Sequence, residues 1–351
     1  MQLEELITRI KPLDKVAMQS ARIRQDALTK PRGSLGHLEE LSIQLAGISA
    51  CPLPSVERKT VIVMAADHGV TSEGVSAYPA EVTPQMVSNF LRGGAAINVL
   101  ARQANARVVV ADMGVASEIE DVMGELVRCK VGLGTANLVK GPAMTREQAM
   151  ESIQSGIEIA ETEIARGADI LATGDMGIGN TTAAAAIACA LMRQLPENIA
   201  GRGTGVDDDG LKRKINVITR ALNVNKPNGN DAIDVLAKVG GFEIGGLAGV
   251  MLAAAANRKP VVIDGFISTA AAMIAASLVP AARDYMVAAH ISQERGHKLM
   301  LVWLGLNPLL DLNMRLGEGT GAALAFHLIE ASTRILREMA TFNEAGVSDK
   351  E

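Results

Sequence analysis

The pattern of apolar and polar positions changes texture near residue 55. Before it, Leu3, Leu6, Ile7 and Ile10 recur at helical spacing, as do Leu38, Leu41 and Leu45, which predicts amphipathic helices. Between them KPRGSLG at 30–36 reads as a turn-forming loop, and Pro52 and Pro54 then break the chain. From about residue 60, short continuous apolar runs end at an acidic residue with glycine close by. They are 61–66 before Asp67-His68-Gly69, 108–111 before Asp112-Met113-Gly114, 170–173 before Gly174-Asp175, and 261–263 before Asp264-Gly265. Alanine-rich helical segments usually follow. Such runs alternating with helices predict an α/β fold, a doubly wound and mainly parallel sheet. Ligands bind beyond the carboxyl ends of such strands, so Asp67, Asp112, Asp175 and Asp264 are expected to converge on one rim. A helical stretch from about 320 to 339 closes the chain. The organisation expected is a large α/β domain over 56–300 and a smaller helical domain built from 1–55 and 301–351.

Composition narrows the class. At 351 residues the chain is long enough for about two domains, and with 48% hydrophobic and 21% charged residues it is not mainly disordered. Aromatic residues make up only 2%, so the core must be packed by aliphatic side chains and close backbone contacts. That scarcity also argues against stacking platforms for single-stranded nucleic acid. A net charge of −5 leaves no basic footprint for a polyanion. Nucleic acid is therefore not an expected partner, and any phosphate site must be local. Cys51, Cys129 and Cys189 are dispersed and odd in number, which suits a reducing compartment and shows no metal-ligand spacing. The segment MQLEELITRIKPLDK has no apolar signal-peptide core. The apolar region 265–282 is broken by Ser268, Thr269, Ser277 and Pro280, and reads as a buried helix rather than a membrane span. A cytoplasmic protein with no membrane partner is expected.

Three glycine-rich loops can carry chemistry. TGDMGIGNTT at 173–182 links an apolar strand to a helix. Its glycines let a ligand approach the backbone, and the helix start offers unpaired N–H groups to an anion. It lacks the lysine of the nucleoside-triphosphate loop and the glycine order of the dinucleotide fingerprint. Either a tight turn with a capped helix or a phosphate site accounts for it, and its place after a strand favours a monophosphate. GRGTGVDDDG at 201–210 precedes Lys212, Arg213 and Lys214. Its acidic triplet reads as a helix start, where carboxylates meet the positive end of the dipole, or as a hard-cation site. RLGEGTG at 315–321 sets Glu318 between glycines. A carboxylate there is either a helix-start residue or a base that must approach a flat substrate. No helical His-x-x-x-His spacing and no Gly-x-Ser-x-Gly elbow are present, so a zinc site and a serine hydrolase have little support.

Taken together, these loops resemble the nicotinate-nucleotide:dimethylbenzimidazole phosphoribosyltransferase family. The likeness runs from about Lys30 to Ala331. It rests on KPRGSLG at 30–36, AADHGV at 65–70, GVSAYPAEVTPQMV at 74–87, GGAAINVLAR at 93–102, GDMGIGNTT at 174–182, GRGTGVDD at 201–208, GGFEIGGLAG at 240–249, DGFIST at 264–269 and RLGEGTGAALA at 315–325. The resemblance implies transfer of a 5-phosphoribosyl group from nicotinate mononucleotide to 5,6-dimethylbenzimidazole, with inversion at the anomeric carbon. The products are α-ribazole 5′-phosphate and nicotinate. It further implies a homodimer, no cofactor, and no residue set assigned to a metal.

Carried over by motif, Glu318 is the implied proton acceptor, with Asp175 as a second carboxylate. Gly177, Gly179, Asn180 and Thr181 would cradle the nucleotide, and Gly203, Lys214 and Ser292 would contact its phosphate. Tyr78, Gln85 and Met86 would line the benzimidazole pocket. Two positions depart from the pattern. Asp175 stands where the family usually has glutamate, and HISQERGH at 290–297 carries Arg295 where the family has proline. The phosphate edge is therefore expected to be shaped differently or to gain a charge. A transfer to another aromatic acceptor (adenine or a phenol) and a non-catalytic nucleotide sensor are the competing readings.

Overall fold

In the computed structural model, which describes residues 3–120 and 124–348, six parallel strands form one sheet. They are β1 (Lys59–Ala66), β2 (Ala106–Gly114), β3 (Leu126–Arg128), β4 (Ile170–Met176), β5 (Val261–Ile263) and β6 (Met286–Ala288), in the order β3-β2-β1-β4-β5-β6. The four expected runs are β1, β2, β4 and β5. Every residue of β1 is buried, as continuous Val, Ile and Ala runs require when helices cover both faces. The edge strands β3 and β6, three residues each, are too short to show a period in sequence.

Strand order explains where a ligand can sit. The chain builds outward from β1 to β2 and β3, then returns to place β4 on the other side of β1. The loops leaving β1 and β4 therefore diverge, and a crevice opens beyond their carboxyl ends. The helix expected over 265–282 runs Phe266–Leu278 and gives way to a 3₁₀ turn, Pro280–Tyr285. Pro280 enters that turn because it has no N–H with which to continue the helix. Among the described residues no helix is long and apolar enough to cross a membrane.

The chain's two ends pack together. Helices Lys15–Ala27 and His37–Ser49 join the closing helix Thr320–Glu338 around Ala21, Ile43, Ala46 and Leu336. The Arg24 guanidinium donates to the Leu336 carbonyl at 2.7 Å. The 30–36 loop folds around Glu39, whose carboxylate meets Lys30 at 2.7 Å and accepts the Gly33 and Leu35 N–H groups.

Backbone contact replaces aromatic bulk in the core. Helix Phe242–Ala256 is buried at all fifteen positions and lies against helix Arg146–Ala165. A Cβ on Gly156 would overlap the Gly246 carbonyl, and one on Gly249 would overlap the Ile153 carbonyl. Alanine normally favours a helix over glycine by about 1 kcal/mol, but here overpacking, roughly 1–3 kcal/mol, opposes it. Gly156→Ala is accordingly expected to lower the urea midpoint of unfolding. An unchanged or raised midpoint would show that the two helices are not in such close contact.

Candidate active site

A cavity of about 630 Å³ occupies the crevice, walled by residues from the 78–86, 175–181, 203–204, 290–294 and 315–318 segments. Stretches scattered through the sequence meet here because each follows a strand or crosses the same rim.

Glu318 forms one wall. Gly317, Glu318 and Gly319 all have positive φ, at 84°, 62° and 91°. This conformation costs a residue with a Cβ roughly 1–2 kcal/mol, so surrounding contacts must hold it. Three do so. The Glu318 carbonyl lies against the Cα of Gly174 in β4, where a Cβ would overlap it. The Gly319 N–H donates to Asp264 Oδ2 at 3.1 Å and the Ala322 N–H to Asp264 Oδ1 at 3.0 Å. The Ile97 N–H, in the first turn of helix Ala96–Gln103, donates to Glu318 Oε2 at 3.2 Å. Glu318 is thus only 5% exposed, and its carboxylate faces the positive end of a helix. Burial raises its pKa, the Ile97 N–H offsets part of that rise, and the Asp264 charge adds to it.

The four acids expected on one rim divide by role. Asp67 accepts from the Ala116 N–H, and Asp112 from the N–H groups of Gly114 and Val115 while pairing with Lys130. Both fasten the loops that leave β1 and β2, and neither lines the cavity. Asp264 secures the loop of Glu318. Asp175 alone of the four lines the cavity, its Oδ2 accepting from Asn180 Nδ2 at 2.9 Å and its Oδ1 without a hydrogen-bond partner among the described residues. Burial drives the Asp175 pKa well up, reinforced by the charges of Asp264 and Glu243. Like charges near a buried carboxyl add to the cost of ionising it.

The opposite end suits an anion. Helix Asn180–Met192 starts at the cavity, with Gly179 as its N-cap. Buried Lys214, on helix Asp208–Asn225, donates from Nζ to Thr181 Oγ1 at 2.7 Å. That bond leaves the Thr181 hydroxyl proton available to a ligand. Burial lowers the Lys214 pKa to about 8, against a smaller upward pull from Glu294. Gly203 lies beside Lys214 Nζ, and Arg315 donates to its carbonyl at 3.2 Å. Ser292 borders the cavity. Its N–H donates to His297 Nδ1 at 2.7 Å, so the neutral ring carries its proton on Nε2, which donates to Thr269 Oγ1 at 2.8 Å. Burial, with a lesser push from His290, lowers the His297 pKa to about 3.

Glu318, Asp175, Gly177, Asn180, Thr181, Gly203, Ser292, Tyr78 and Met86 therefore line one cavity. Gly179 stands behind the wall, and Lys214 reaches it through Thr181. Gln85 is exposed and outside the lining. Arg295 turns away, donating to the Glu197 carbonyl, so it adds no charge to the phosphate edge. In the acidic triplet Asp207 caps its helix by accepting from the Gly210 N–H, which is the helix-start reading. Among the described residues no cluster of His, Cys, Asp or Glu could hold a metal ion.

Sequence reasoning missed the Ile97 N–H, Arg315 and the buried pair His68–Glu243, whose Nε2 and Oε1 atoms lie 2.7 Å apart. That pair sits near the 177–179 turn, His68 being one of the neighbours a Cβ on Gly177 or Gly179 would meet, after the Ala66 carbonyl and the Thr71 methyl. The glycines flanking both residues, in AADHGV and GGFEIGG, were the available signal.

Comparison with known proteins bears on this arrangement. A family model described as Phosphoribosyltransferase matches residues 10–347. The chain is 60% identical over 348 residues to the nicotinate-nucleotide–dimethylbenzimidazole phosphoribosyltransferase of Roseiflexus sp. (strain RS-1), covering 99% of this chain and 98% of that one. It is 58% identical over 346 residues to that of Desulforudis audaxviator (strain MP104C), with the same coverage. The crystal structure of the enzyme of that name from Thermus thermophilus matches with a TM-score of 0.92 at 50% identity, covering 96% of this chain and all of that one.

His297 also sets a pH dependence. An unfolded histidine titrates near 6.5, so stability from the neutral ring is complete above that pH and is lost as pH falls from there toward 3. Between pH 7 and pH 5 the loss is about 2 kcal/mol. Urea titrations should show this extra slope in the wild type and not in His297→Gln. Identical slopes would mean that the ring is not held neutral.

Proposed function

The chain belongs to the nicotinate-nucleotide–dimethylbenzimidazole phosphoribosyltransferase family, and we propose that Glu318 is the base of the reaction and the 177–181, 203, 214 and 292 positions the seat of its nucleotide. The enzyme transfers 5-phosphoribosyl from nicotinate mononucleotide to 5,6-dimethylbenzimidazole in cobalamin synthesis, releasing nicotinate.

The chemistry accounts for the wall that Glu318 makes. A neutral benzimidazole has one ring nitrogen with a free lone pair and one N–H. The lone pair attacks the anomeric carbon, and the bond from that carbon to the pyridinium nitrogen breaks, its electrons neutralising the pyridinium as nicotinate leaves. The new bond would leave a positive charge on the benzimidazole unless the N–H proton departs, and Glu318 takes it. A positioned base typically contributes on the order of 10²–10⁴-fold, and holding the two rings face to face supplies much of the remainder. The observation that supports this reading is a buried carboxylate, held by the Ile97 N–H on one oxygen, on a residue that lines the cavity. Tyr78 and Met86 would flank the acceptor ring, with Gln85 reaching it only from outside the present lining. At the far end Lys214, the Thr181 hydroxyl and Ser292 would hold the phosphate, with Gly203, which has no side chain, letting it come close. Asp175, whose pKa burial raises, would serve as a second carboxyl group in the same cavity as Glu318.

A homodimer is part of this reading. Helix His297–Leu304 exposes Leu299, Val302 and Trp303 at i, i+3 and i+4 spacing, an apolar face that a second copy would cover. Sedimentation at micromolar concentration should give the mass of two chains, and a monomer alone would contradict it.

Glu318→Gln should lower turnover at least tenfold while nicotinate mononucleotide still binds. In the wild type kcat should fall on the acid side as Glu318 gains a proton, at a pH above the ordinary glutamate value of about 4.3, because the side chain's pKa is raised. Steady-state rates against pH test both. Wild-type turnover in the variant would remove Glu318 as the base.

A further inference from the structure

The helix that follows Glu318 competes for its carboxylate. The first N–H groups of a helix have no partner within it, and a side chain at the cap usually accepts them. Helix Thr320–Glu338 is capped by Gly319, which has no side chain to offer. The acid immediately ahead is Glu318, and a carboxylate beside the positive end of a helix is drawn onto its N–H groups. Bound there, Glu318 would be a cap and a poor base, because N–H donors favour the charged form of an acid. Asp264 takes that place instead. It follows β5, is 1% exposed, and accepts the Gly319 N–H on Oδ2 at 3.1 Å and the Ala322 N–H on Oδ1 at 3.0 Å. Acceptance on both oxygens is the pattern of an ionised acid. Burial raises its pKa, against the pull of His290 and of the Ala322, Gly319 and Gly321 N–H groups. Glu318 meets the Ile97 N–H and stays on the cavity wall.

We propose that Asp264 is a positioning residue for the reaction: by occupying the N–H groups of the helix that Glu318 precedes, it bars Glu318 from capping that helix and keeps it a base at the cavity. The inference rests on Glu318 being the base. The charge of Asp264 acts in the same sense as its hydrogen bonds, since a neighbouring anion holds the Glu318 pKa up. Other charged groups face this turn from the elements around it. Asp175 on β4 lies beside Gly317, and His290, after β6, has its Nε2 3.8 Å from Asp264 Oδ1. Arg315, on the same loop, is engaged by the Gly203 carbonyl.

The test is the pH profile of kcat in Asp264→Asn, beside the wild type and Glu318→Gln. The amide keeps the shape and one acceptor, but sets an NH₂ group against the second N–H and carries no charge. A donor is thereby released to Glu318 and a repelling charge is lost, and both changes lower the Glu318 pKa. The acid limb of kcat should move to lower pH by about half a unit or more, and the plateau kcat should fall at least tenfold as the carboxylate is drawn off the acceptor. An acid limb at or above the wild-type pH, or an undiminished kcat, would overturn the proposal. A merely structural Asp264 would cost active enzyme and leave the limb where it is. His290→Gln is the control: the limb should persist there, and its disappearance would give it to the histidine and overturn the proposal as well. Wild-type turnover in Glu318→Gln rejects the base itself, whereas an unmoved limb in Asp264→Asn beside a disabled Glu318→Gln rejects the role of Asp264 alone. Should Asp264→Asn fail to fold, Asp264→Ser, with a short hydroxyl acceptor and no charge, reads the same limb.

Discussion

A carboxylate held in a strained turn is the constraint around which the rest of this molecule is arranged. Glu318 adopts a left-handed backbone between two glycines that do the same, in a turn closed by the Thr320 N–H and hydroxyl on the Gly317 carbonyl. Further support comes from three distant places: the bare Cα of Gly174 beneath its carbonyl, the carboxylate of Asp264 on the N–H groups that follow, and the Ile97 N–H at its tip. Each belongs to a different crossover of the sheet. Glu318 is positioned only when β4, β5 and the helix after the 93–95 turn are all in register. Strain of this kind persists where surrounding contacts over-determine it, and functional sites are where it gathers.

The same economy governs the core. With few aromatic rings available, helices Arg146–Ala165 and Phe242–Ala256 approach until glycine Cα meets carbonyl oxygen. Such contacts leave little room for relative sliding, because close-packed interiors transmit strain rather than absorb it. The helix at the centre of that contact also carries Glu243, which braces His68 under the 177–179 turn. Packing at the centre of the protein thus reaches the loop proposed to cradle the nucleotide.

Much of this was legible in the chain. The apolar runs located β1, β2, β4 and β5, and the order of glycine loops pointed to most of the positions that meet at the cavity. What could not be read were pairings between residues far apart in sequence. Glu318 has only glycines beside it in the chain, while the N–H that meets its carboxylate belongs to Ile97, more than two hundred residues away. The acids after the strands looked equivalent, yet Asp67 and Asp112 are consumed by nearby backbone N–H groups and Asp264 by the loop it fastens. Nor could the side on which Arg295 falls be read, since its guanidinium finds the Glu197 carbonyl rather than the phosphate edge. Period and composition report burial; they carry no record of which buried group meets which.

The account stands most directly on where the acceptor ring lies. A crystal structure with 5,6-dimethylbenzimidazole bound should place one ring nitrogen within about 3 Å of a Glu318 carboxylate oxygen, with the other nitrogen facing the 177–181 loop. A ring bound with both nitrogens beyond hydrogen-bond reach of Glu318 would contradict it.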